Sequence, residues 1–368
     1  MKILYGVQAT GNGHITRARA ISAALENTDL QVDYLFSGRE RDKFFDMKQF
    51  GDWRCLSGMT FVHQEGKIDN LRTLRHNKIL QFFRDIRELP VDDYDLVITD
   101  FEPVSAWAAR RAGKTCIGIG HQYAFDYPIP LRGSTLSSRM IMRHFAPASL
   151  SLGLHWHHFG HNILPPIADI PAGAGRHVDP RKIVVYLGFE SPQKVMSLLE
   201  PMEDYIFYYY GEFERHEDRG NIQLRPLSRS GFQQDLHTCS GVISNAGFEL
   251  ASEAIQLGKK LLAKPLQGQM EQLSNAAALE QLGLGMTMNS LDAGTIRHWL
   301  DDWKGPQVVY PDVAGAIVDW LVAGDWKDSS NLVTNLWAQV ESPDIADFAA
   351  NPKPTTSATL AANTGRAA

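Results

Sequence analysis

The 368-residue sequence has few cysteines, no long apolar run and no large excess of either charge. Its three cysteines lie far apart and lack CxxC spacing, which argues against both a disulfide framework and a zinc cage. A net charge of -6 gives none of the basic excess that nucleic acid binding requires. No apolar run is long enough to span a bilayer or to form a signal peptide. These absences predict a folded cytoplasmic protein in a reducing compartment, without nucleic acid as a partner.

Hydrophobic periodicity predicts strands that alternate with helices in both halves of the chain. In the first half, apolar runs at 2–8, 31–36, 95–100 and 116–120 are separated by loops and helical patterns. Such alternation supplies the crossovers that parallel strands need, so we expect parallel sheets. Dense Pro and Gly at 161–181 stop both helix and sheet and predict a linker.

The length favours two domains of α/β class, each large enough for its own core. The expected organisation is an N-terminal α/β domain at 1–160, the linker at 161–181, a C-terminal α/β domain at 182–307, helices at 308–340 and a disordered tail at 341–368.

The loop after the first predicted strand reads Gly11-Asn12-Gly13-His14. A P-loop would need Lys and then Ser or Thr after Gly13, and a dinucleotide-binding fingerprint would need Gly in place of Thr16, so neither motif fits. The loop can still bring backbone close to a ligand, and a helix N-terminus favours the neutral, proton-accepting form of histidine. His14 is therefore a candidate general base, with a solvent-exposed capping histidine as the alternative.

Further polar residues are expected at the same edge of the first sheet. Asp100 ends a predicted strand, and the carboxyl ends of parallel strands share one edge, so Asp100 can orient His14 and stabilise its protonated form. A strand-end cap is the alternative for Asp100. Glu102 and His121 occupy similar positions and are acceptor-side candidates, either of which can replace Asp100 or His14 in these roles.

In the second half, residues 244–247 lie between a predicted strand and a predicted helix. Backbone N–H groups at this helix start, after Ser244, Asn245 and Gly247, suit a pyrophosphate. Glu253, two turns along, can accept hydrogen bonds from ribose hydroxyls, although most helix glutamates are surface charges. Glu271 and Gln272 open the next predicted helix and can bind sugar hydroxyls, or serve only as ordinary first-turn residues.

The order of these motifs resembles the two-domain, Leloir-type glycosyltransferases of the GT-B fold. The likeness covers roughly residues 1–340 and is strongest over 241–285. The most similar patterns are those of macrolide and plant-type glycosyltransferases and of the peptidoglycan lipid-intermediate N-acetylglucosaminyltransferase. A microbial branch with Gly-x-Gly-His and Asp-Phe-Glu-Pro segments shares the sequences at 11–14 and 100–103.

The resemblance implies two Rossmann-like domains that face one another across a cleft, with the acceptor domain at 1–160 and the donor-binding domain at 182–307. It also implies that the helices at 308–340 can pack back on the N-terminal domain. It implies that Glu253 binds ribose, that Gly247 forms the phosphate turn, and that Glu271 and Gln272 hold the donor sugar. It further implies that the donor site includes Gly11, Gly13, Ser244 and Asn245, and that His14 and Asp100 are catalytic.

One departure from the family pattern concerns the phosphate turn. Glu249 stands where relatives carry a phosphate ligand, and its carboxylate would repel a pyrophosphate unless it pointed away. Arg225, at a strand end, is the candidate for a compensating charge.

The implied activity is glycosyl transfer of hexosyl or N-acetylhexosaminyl type, from a nucleoside-diphosphate sugar to an acceptor hydroxyl. A UDP-sugar, inversion, no cofactor and no metal are expected. The acceptor is left open among a glycan, a lipid-linked molecule and a small molecule. The alternatives are a nucleotide-sugar 2-epimerase of the same fold and a non-catalytic nucleotide-sugar-binding protein.

Two further segments have open interpretations. The histidines at 155–161 have no Asp or Glu after them until Asp169. We expect His155 and His157 to share one face of a strand and to line the cleft rather than to form a metal site. The segment at 132–144 is basic and apolar, so it either touches the inner face of a membrane or a lipid-linked acceptor, or packs as a helix with an exposed rim.

Overall fold

Two seven-stranded sheets form the framework of the chain. The computed structural model describes residues 1–59, 63–64, 67–68, 78–168, 170–171, 173–175 and 177–344. Within these residues every pairing in the two large sheets is parallel except that of one short edge strand. The expected α/β class and its parallel sheets are confirmed.

The first sheet is built from the N-terminal half of the chain. In chain order, the strands of this half are β1 (Lys2–Gln8), β2 (Gln31–Ser37), β3 (Arg54–Leu56), the hairpin of β4 (His63–Gln64) and β5 (Lys67–Ile68), β6 (Leu96–Asp100), β7 (Cys116–Gly120), β8 (Leu150–Leu154) and β9 (Ile163–Leu164). The order in the sheet is β3-β2-β1-β6-β7-β8-β9. The helices are α1 (Asn12–Leu25), α2 (Ile79–Glu88), α3 (Pro103–Ala112) and α4 (Leu136–Phe145).

The second sheet has the order β12-β13-β11-β10-β14-β15-β16. Its strands are β10 (Asp179–Tyr186), β11 (Ile206–Gly211), β12 (Glu217–Arg219), β13 (Ile222–Pro226), β14 (Cys239–Asn245), β15 (Lys260–Lys264) and β16 (Met286–Thr287). The accompanying helices are α5 (Pro192–Leu199), α6 (Arg229–Thr238), α7 (Phe248–Gln256), α8 (Met270–Leu282) and α9 (Ala293–Asp302). The antiparallel edge strand is β12.

The central strands are apolar along their length because helices cover both faces of a parallel sheet. In β10, for example, Ile183, Val184 and Val185 are fully buried, and they face alternately into two hydrophobic clusters on opposite sides of the sheet. This arrangement leaves the carboxyl ends of the strands, and the loops that follow them, as the sites where polar groups can meet.

The last two helices, α10 (Val313–Ala323) and α11 (Ser330–Trp337), pack on the first half of the chain, α10 against α1 and α11 against β9. Trp337 donates a hydrogen bond from Nε1 to the carbonyl oxygen of Ile163, 2.6 Å away. Asn162 donates to the hydroxyl of Ser329 at 2.9 Å. The chain thus crosses back to its N-terminal half and ties the two halves together.

The connection between the sheets is shorter than the linker expected at 161–181, because β9 and β10 take up its two ends. The tail expected to be disordered lies outside the described residues from 345 onward. Its first residue, Glu341, instead forms a backbone bridge with Val309.

The histidines after β8 do not share a strand face, so that expectation was wrong. The strand ends at Leu154, and His155 and His157 each accept a hydrogen bond at Nδ1 from the backbone N–H two residues ahead, at 3.4 Å and 2.8 Å. Such local side-chain-to-backbone bonds favour turns over extended strands.

Within the described part of the chain, no helix combines the length and apolarity needed to cross a bilayer.

Replacing Trp337 by Ala should lower the free energy of unfolding by about 3 kcal/mol, because a buried indole leaves a cavity. Trp337→Phe is the matched control, and it should cost about 1 kcal/mol because the ring is kept and only the hydrogen bond to Ile163 is lost. Urea denaturation measures both. If both variants lost the same small amount of unfolding free energy, Trp337 would not hold α11 in place.

Candidate active site

A cleft between the two sheets holds a cavity of about 360 Å³. The N-terminal ends of α1 and α7 face into it from opposite sides, and α6 and α8 supply the remaining wall. The sequence-predicted residues that line it are Gly11, Gly13, His14, Asn245, Gly247, Glu253, Glu271 and Gln272.

His14 stands in the first turn of α1 and is held by Asp100 at the end of β6. Its Nδ1 donates to Asp100 Oδ1 at 2.6 Å, which leaves Nε2 on the opposite side of the ring as the acceptor nitrogen. The Asp100 side chain is fully buried, whereas His14 remains partly accessible from the cleft. This is the geometry of a general base with an orienting carboxylate.

Arg17 lies beneath this pair and was not singled out from the sequence. Its guanidinium donates to both oxygens of Asp100, from Nε at 2.7 Å and from Nη2 at 2.5 Å, and Nη2 also lies 3.0 Å from His14 Nδ1. From Nη1 it donates across the cleft to Glu249 in the first turn of α7. The i, i+3 spacing from His14 on one helix is the signal that could have identified it.

Charge pairing dominates the energetics of this cluster. Burial alone would raise the pKa of the Asp100 carboxyl, but the Arg17 guanidinium and His14 lower it below its ordinary value. Burial alone would likewise lower the pKa of Arg17, which Asp100 and Glu249 raise. The buried guanidinium of Arg17 thus lies between two carboxylates, one from each half of the chain.

Glu249 occupies the position that conflicts with phosphate binding, and the structure shows how the conflict is reduced. Its carboxylate points across the cleft to Arg17, not along the axis of α7. It also packs against Gly13, where an added Cβ would collide with the carboxylate. A glycine at position 13 therefore permits this cross-domain contact.

Two helix N-termini remain available to an anion in the cavity. Gly11 and Gly247 are the N-cap residues of α1 and α7, both have extended backbone, and neither helix has a side-chain cap. The first N–H groups of each helix are thus not satisfied by a capping side chain, and the partial positive charge of each helix end points into the cleft. This arrangement suits a diphosphate.

An aromatic wall lines the side of the cavity formed by the second sheet. Phe232 makes edge contacts with Tyr186 and Tyr210, at ring-centroid distances of 5.8 Å and 5.0 Å. Beside it, Gln233 donates to Glu253 Oε2 at 3.3 Å. A flat apolar ring and a ribose can be accommodated here, between α6 and α7.

The start of α8 brings an acid and an amide to the opposite wall. Gln272 Oε1 accepts a hydrogen bond from the backbone N–H of Leu266 at 2.8 Å, which orients its amide nitrogen. Glu271 Oε1 accepts from Gln122 of the first domain at 3.1 Å. The polar atoms of Glu271 and Gln272 can form hydrogen bonds with hydroxyl groups of a ligand.

Glu102 is a structural cap, which corrects its assignment to the acceptor side. It is fully buried at the start of α3 and accepts hydrogen bonds from the backbone N–H groups of Val104 and Ser105 and from the hydroxyl of Ser37, at 2.9, 2.6 and 2.6 Å. Burial raises the pKa of Glu102 above its ordinary value despite these bonds. No part of it lines the cavity.

His121 is also corrected, because it clamps the domains together instead of meeting an acceptor. Its Nδ1 lies 2.8 Å from the carbonyl oxygen of Leu154, and its Nε2 lies 2.6 Å from Oδ1 of Asn275 in α8. The ring stacks on Phe248 at 3.9 Å. Burial lowers the pKa of His121.

Two predicted donor residues lie outside the cavity lining. Arg225 pairs with Asp218 of β12 at 2.9 Å and stacks over Tyr208, so it is not placed to compensate phosphate charge. Ser244 is buried at the end of β14, and its hydroxyl has no hydrogen-bond partner among the described residues.

The side chains of Arg19 and Arg229 also line the cleft. Arg229 is the first residue of α6, directly after the N-cap Ser228. Neither was identified from the sequence, because an arginine within a helix pattern gives no signal of the direction in which it points. Among the described residues, no group of three or more His, Cys, Asp or Glu side chains is arranged to hold a metal ion.

The chain is similar to a known protein family and to solved structures. The family model of glycosyl transferase family 1 matches residues 1–303. No curated protein sequence matches the chain significantly.

Three solved structures illustrate the fold-level likeness. The glycosyltransferase SnogD from Streptomyces nogalater is 16% identical with a TM-score of 0.51, over 92% of this chain and 99% of that one. SsfS6 from Streptomyces sp. SF2575, in complex with thymidine diphosphate, is 12% identical with a TM-score of 0.53, over 82% and 92%. The spinosyn forosaminyltransferase SpnP is 13% identical with a TM-score of 0.55, over 91% and 98%. These likenesses show that the chain has the GT-B fold.

Replacing Asp100 by Asn should lower the free energy of unfolding by about 3 kcal/mol at pH 7, because buried Arg17 loses its bidentate partner. The folded-state pKa of Asp100 is lowered, so its stabilisation is present above the unfolded pKa and is lost as the pH falls through the folded value. The difference in unfolding free energy between wild type and Asp100→Asn should therefore become smaller below about pH 4.

The matched control is Asp218→Asn, which breaks the exposed pair with Arg225 and should cost less than about 1 kcal/mol. Urea denaturation between neutral and acidic pH measures both variants. If the difference in unfolding free energy between wild type and Asp100→Asn stayed constant down to the most acid pH, charge pairing would not be the origin of that difference.

Proposed function

Because the chain belongs to glycosyl transferase family 1, we propose that it transfers a sugar from a UDP-sugar to an acceptor hydroxyl, with inversion and without a metal ion. The observation that carries this proposal is the position of the His14–Asp100 pair. It faces the uncapped start of α7 across one cavity. A proton acceptor and an anion-binding helix end thus lie on either side of the space that a donor sugar would occupy.

The proposed reaction is a single displacement at the anomeric carbon. The acceptor hydroxyl gives its proton to Nε2 of His14 as its oxygen attacks the carbon, and the bond to the diphosphate oxygen breaks. Asp100 holds the ring and stabilises the imidazolium. The negative charge that develops on the leaving nucleoside diphosphate is stabilised by backbone N–H groups at the start of α7.

The donor is held at its two ends. We assign the sugar hydroxyls to Glu271 and to the oriented amide of Gln272, and the ribose to Glu253. The nucleobase is assigned to the aromatic wall around Tyr210 and Phe232. A relative of this fold binds thymidine diphosphate, so a dTDP-sugar is the competing donor.

Arg17 and Glu249 act in this proposal as positioning residues. Arg17 keeps Asp100 ionised and oriented beneath His14, and Glu249 joins that cluster to the helix that binds the diphosphate. The general base is therefore tied to the donor domain by one buried cation. The same contact reduces the repulsion between Glu249 and a bound diphosphate.

His14→Ala should lower kcat by about 10² to 10⁴-fold, because the proton acceptor is lost. It should retain UDP binding, because the donor is held mainly by the second domain. His298→Ala, which removes an exposed histidine on α9, is the control and should leave kcat unchanged. Unchanged turnover of His14→Ala in an active preparation would mean that the base is misassigned.

The donor is tested by thermal shift with UDP, dTDP, UDP-sugars and dTDP-sugars, since a ligand that binds only the folded chain raises the midpoint. The largest shift is expected for a UDP compound, and activity should be unaffected by EDTA. Absence of any shift with UDP would overturn the donor assignment. Formation of an epimer from a UDP-sugar alone would overturn the transferase assignment.

Glu249→Gln should lower kcat by about tenfold and leave the donor KM nearly unchanged, because removal of the charge weakens the contact that joins Arg17 to α7. Arg17→Met should lower kcat more than it changes the donor KM, and Arg17→Lys should restore part of the rate. An unchanged kcat in Glu249→Gln would show that the cross-domain contact is only structural.

A further inference from the structure

Helix α4 (Leu136–Phe145) lies on the surface of the first domain with an unusual distribution of side chains. None of its residues is buried, and those turned partly toward the protein are Ser138, Met142 and Phe145, at helical spacing i, i+4 and i+7. The opposite face carries Leu136, 85% exposed, and Met140, 58% exposed. Two large apolar side chains therefore point away from the protein into solvent.

Basic residues flank these two apolar side chains. Arg139 and Arg143 lie on one side of the outward face by the 3.6-residue period, and His144 lies on the other. In a chain of net charge -6, no Asp or Glu occurs between Asp126 and Asp169. Apolar residues at the centre of a face with basic residues at its margins are typical of helices that lie in a membrane interface.

The helix is also fixed rigidly next to the cleft. Thr135 and Ser138 form a capping box at its N-terminus. Ser138 contacts the sulfur of Met270 at 3.3 Å, and the backbone N–H of Arg132 donates to Ser274 at 3.1 Å. These contacts lie in the first two turns of α8, whose Glu271 and Gln272 line the cavity.

We propose that the outward face of α4 docks on the surface of an anionic phospholipid bilayer. Leu136 and Met140 enter the boundary between headgroups and acyl chains, and Arg139 and Arg143 contact lipid phosphates. Charge complementarity selects this occupant. Arg143 lies near the carboxylate of Asp126, whereas Arg139 donates to the neutral hydroxyl of Ser134, so a neutral apolar partner surface would not supply the counter-charge that Arg139 needs. Arg132 adds little, because it is already paired with Glu280 at 2.9 Å.

Docking in this orientation has a consequence for the acceptor. Because the start of α4 touches α8 beside the cavity, the mouth of the cleft lies close to the bilayer surface. An acceptor carried on a lipid would then reach His14 without leaving the membrane. This consequence rests on the proposed glycosyl transfer, whereas the docking itself does not.

The test is sedimentation of the full chain with vesicles, in the absence of any donor. Binding is expected to phosphatidylcholine vesicles containing about one third phosphatidylglycerol, and not to pure phosphatidylcholine. The bound fraction should fall as NaCl rises from about 0.05 M to about 0.5 M, because screening weakens the contact with phosphates.

Matched variants separate the apolar contribution to membrane binding from the electrostatic one. The double variant Leu136→Ser/Met140→Ser should weaken partitioning roughly tenfold or more. Arg139→Gln/Arg143→Gln should weaken it by about fivefold for each arginine, whereas Arg139→Lys/Arg143→Lys should retain it. Val322→Ser, which removes an exposed apolar residue on α10, is the control and should bind as wild type.

Folding of each variant is checked by circular dichroism and by the midpoint of thermal unfolding without ligand, both of which should match wild type. Equal binding of wild type and the serine double variant would overturn the proposal. So would self-association of the wild type that this variant abolished, since a second copy would then cover the face. Failure of glycosyl transfer alone would leave the vesicle result unaffected.

Discussion

The structure depends on one buried cation, Arg17, which lies between the two domains. A guanidinium in the interior is stable only if carboxylates satisfy it, and it finds Asp100 in its own domain and Glu249 in the other. The first pairing fixes the carboxylate that orients His14. The second joins the proposed general base to the start of α7. A single desolvated charge therefore links the residues proposed for catalysis to the second half of the chain.

Other contacts across the cleft are hydrogen bonds and ring stacking rather than ion pairs. His121 stacks on Phe248 and meets Asn275, while Gln122 meets Glu271. These contacts bring the carboxyl ends of two parallel sheets to face each other, with an uncapped helix start on each side. Each of these helix starts lacks a side-chain cap, which suits a bound anion. The exposed face of α4 lies outside this framework, at the rim of the same cleft.

Much of the fold could be predicted from the sequence because parallel α/β domains have strong local signals. The apolar runs of β1, β6, β7 and β10 are bounded by Gly, Asp and Pro, and the intervening helices repeat at 3.6 residues. Short edge strands such as β9 and β16 were missed, since two residues carry no periodicity. The turn at His155 and His157 was mistaken for strand, because side-chain-to-backbone bonds cannot be read from alternation.

The sequence by itself determined the class of sheet, the order of the motifs and the pair His14 and Asp100, because strand ends and helix starts are local features. Only the tertiary structure decided which polar residues meet. It placed Glu102 in a helix cap, His121 in a domain clamp and Arg225 against Asp218 of the edge strand, and it brought Glu249 to Arg17. The physical reason is that burial and pairing of charge depend on groups far apart in the chain, whose directions local pattern does not specify.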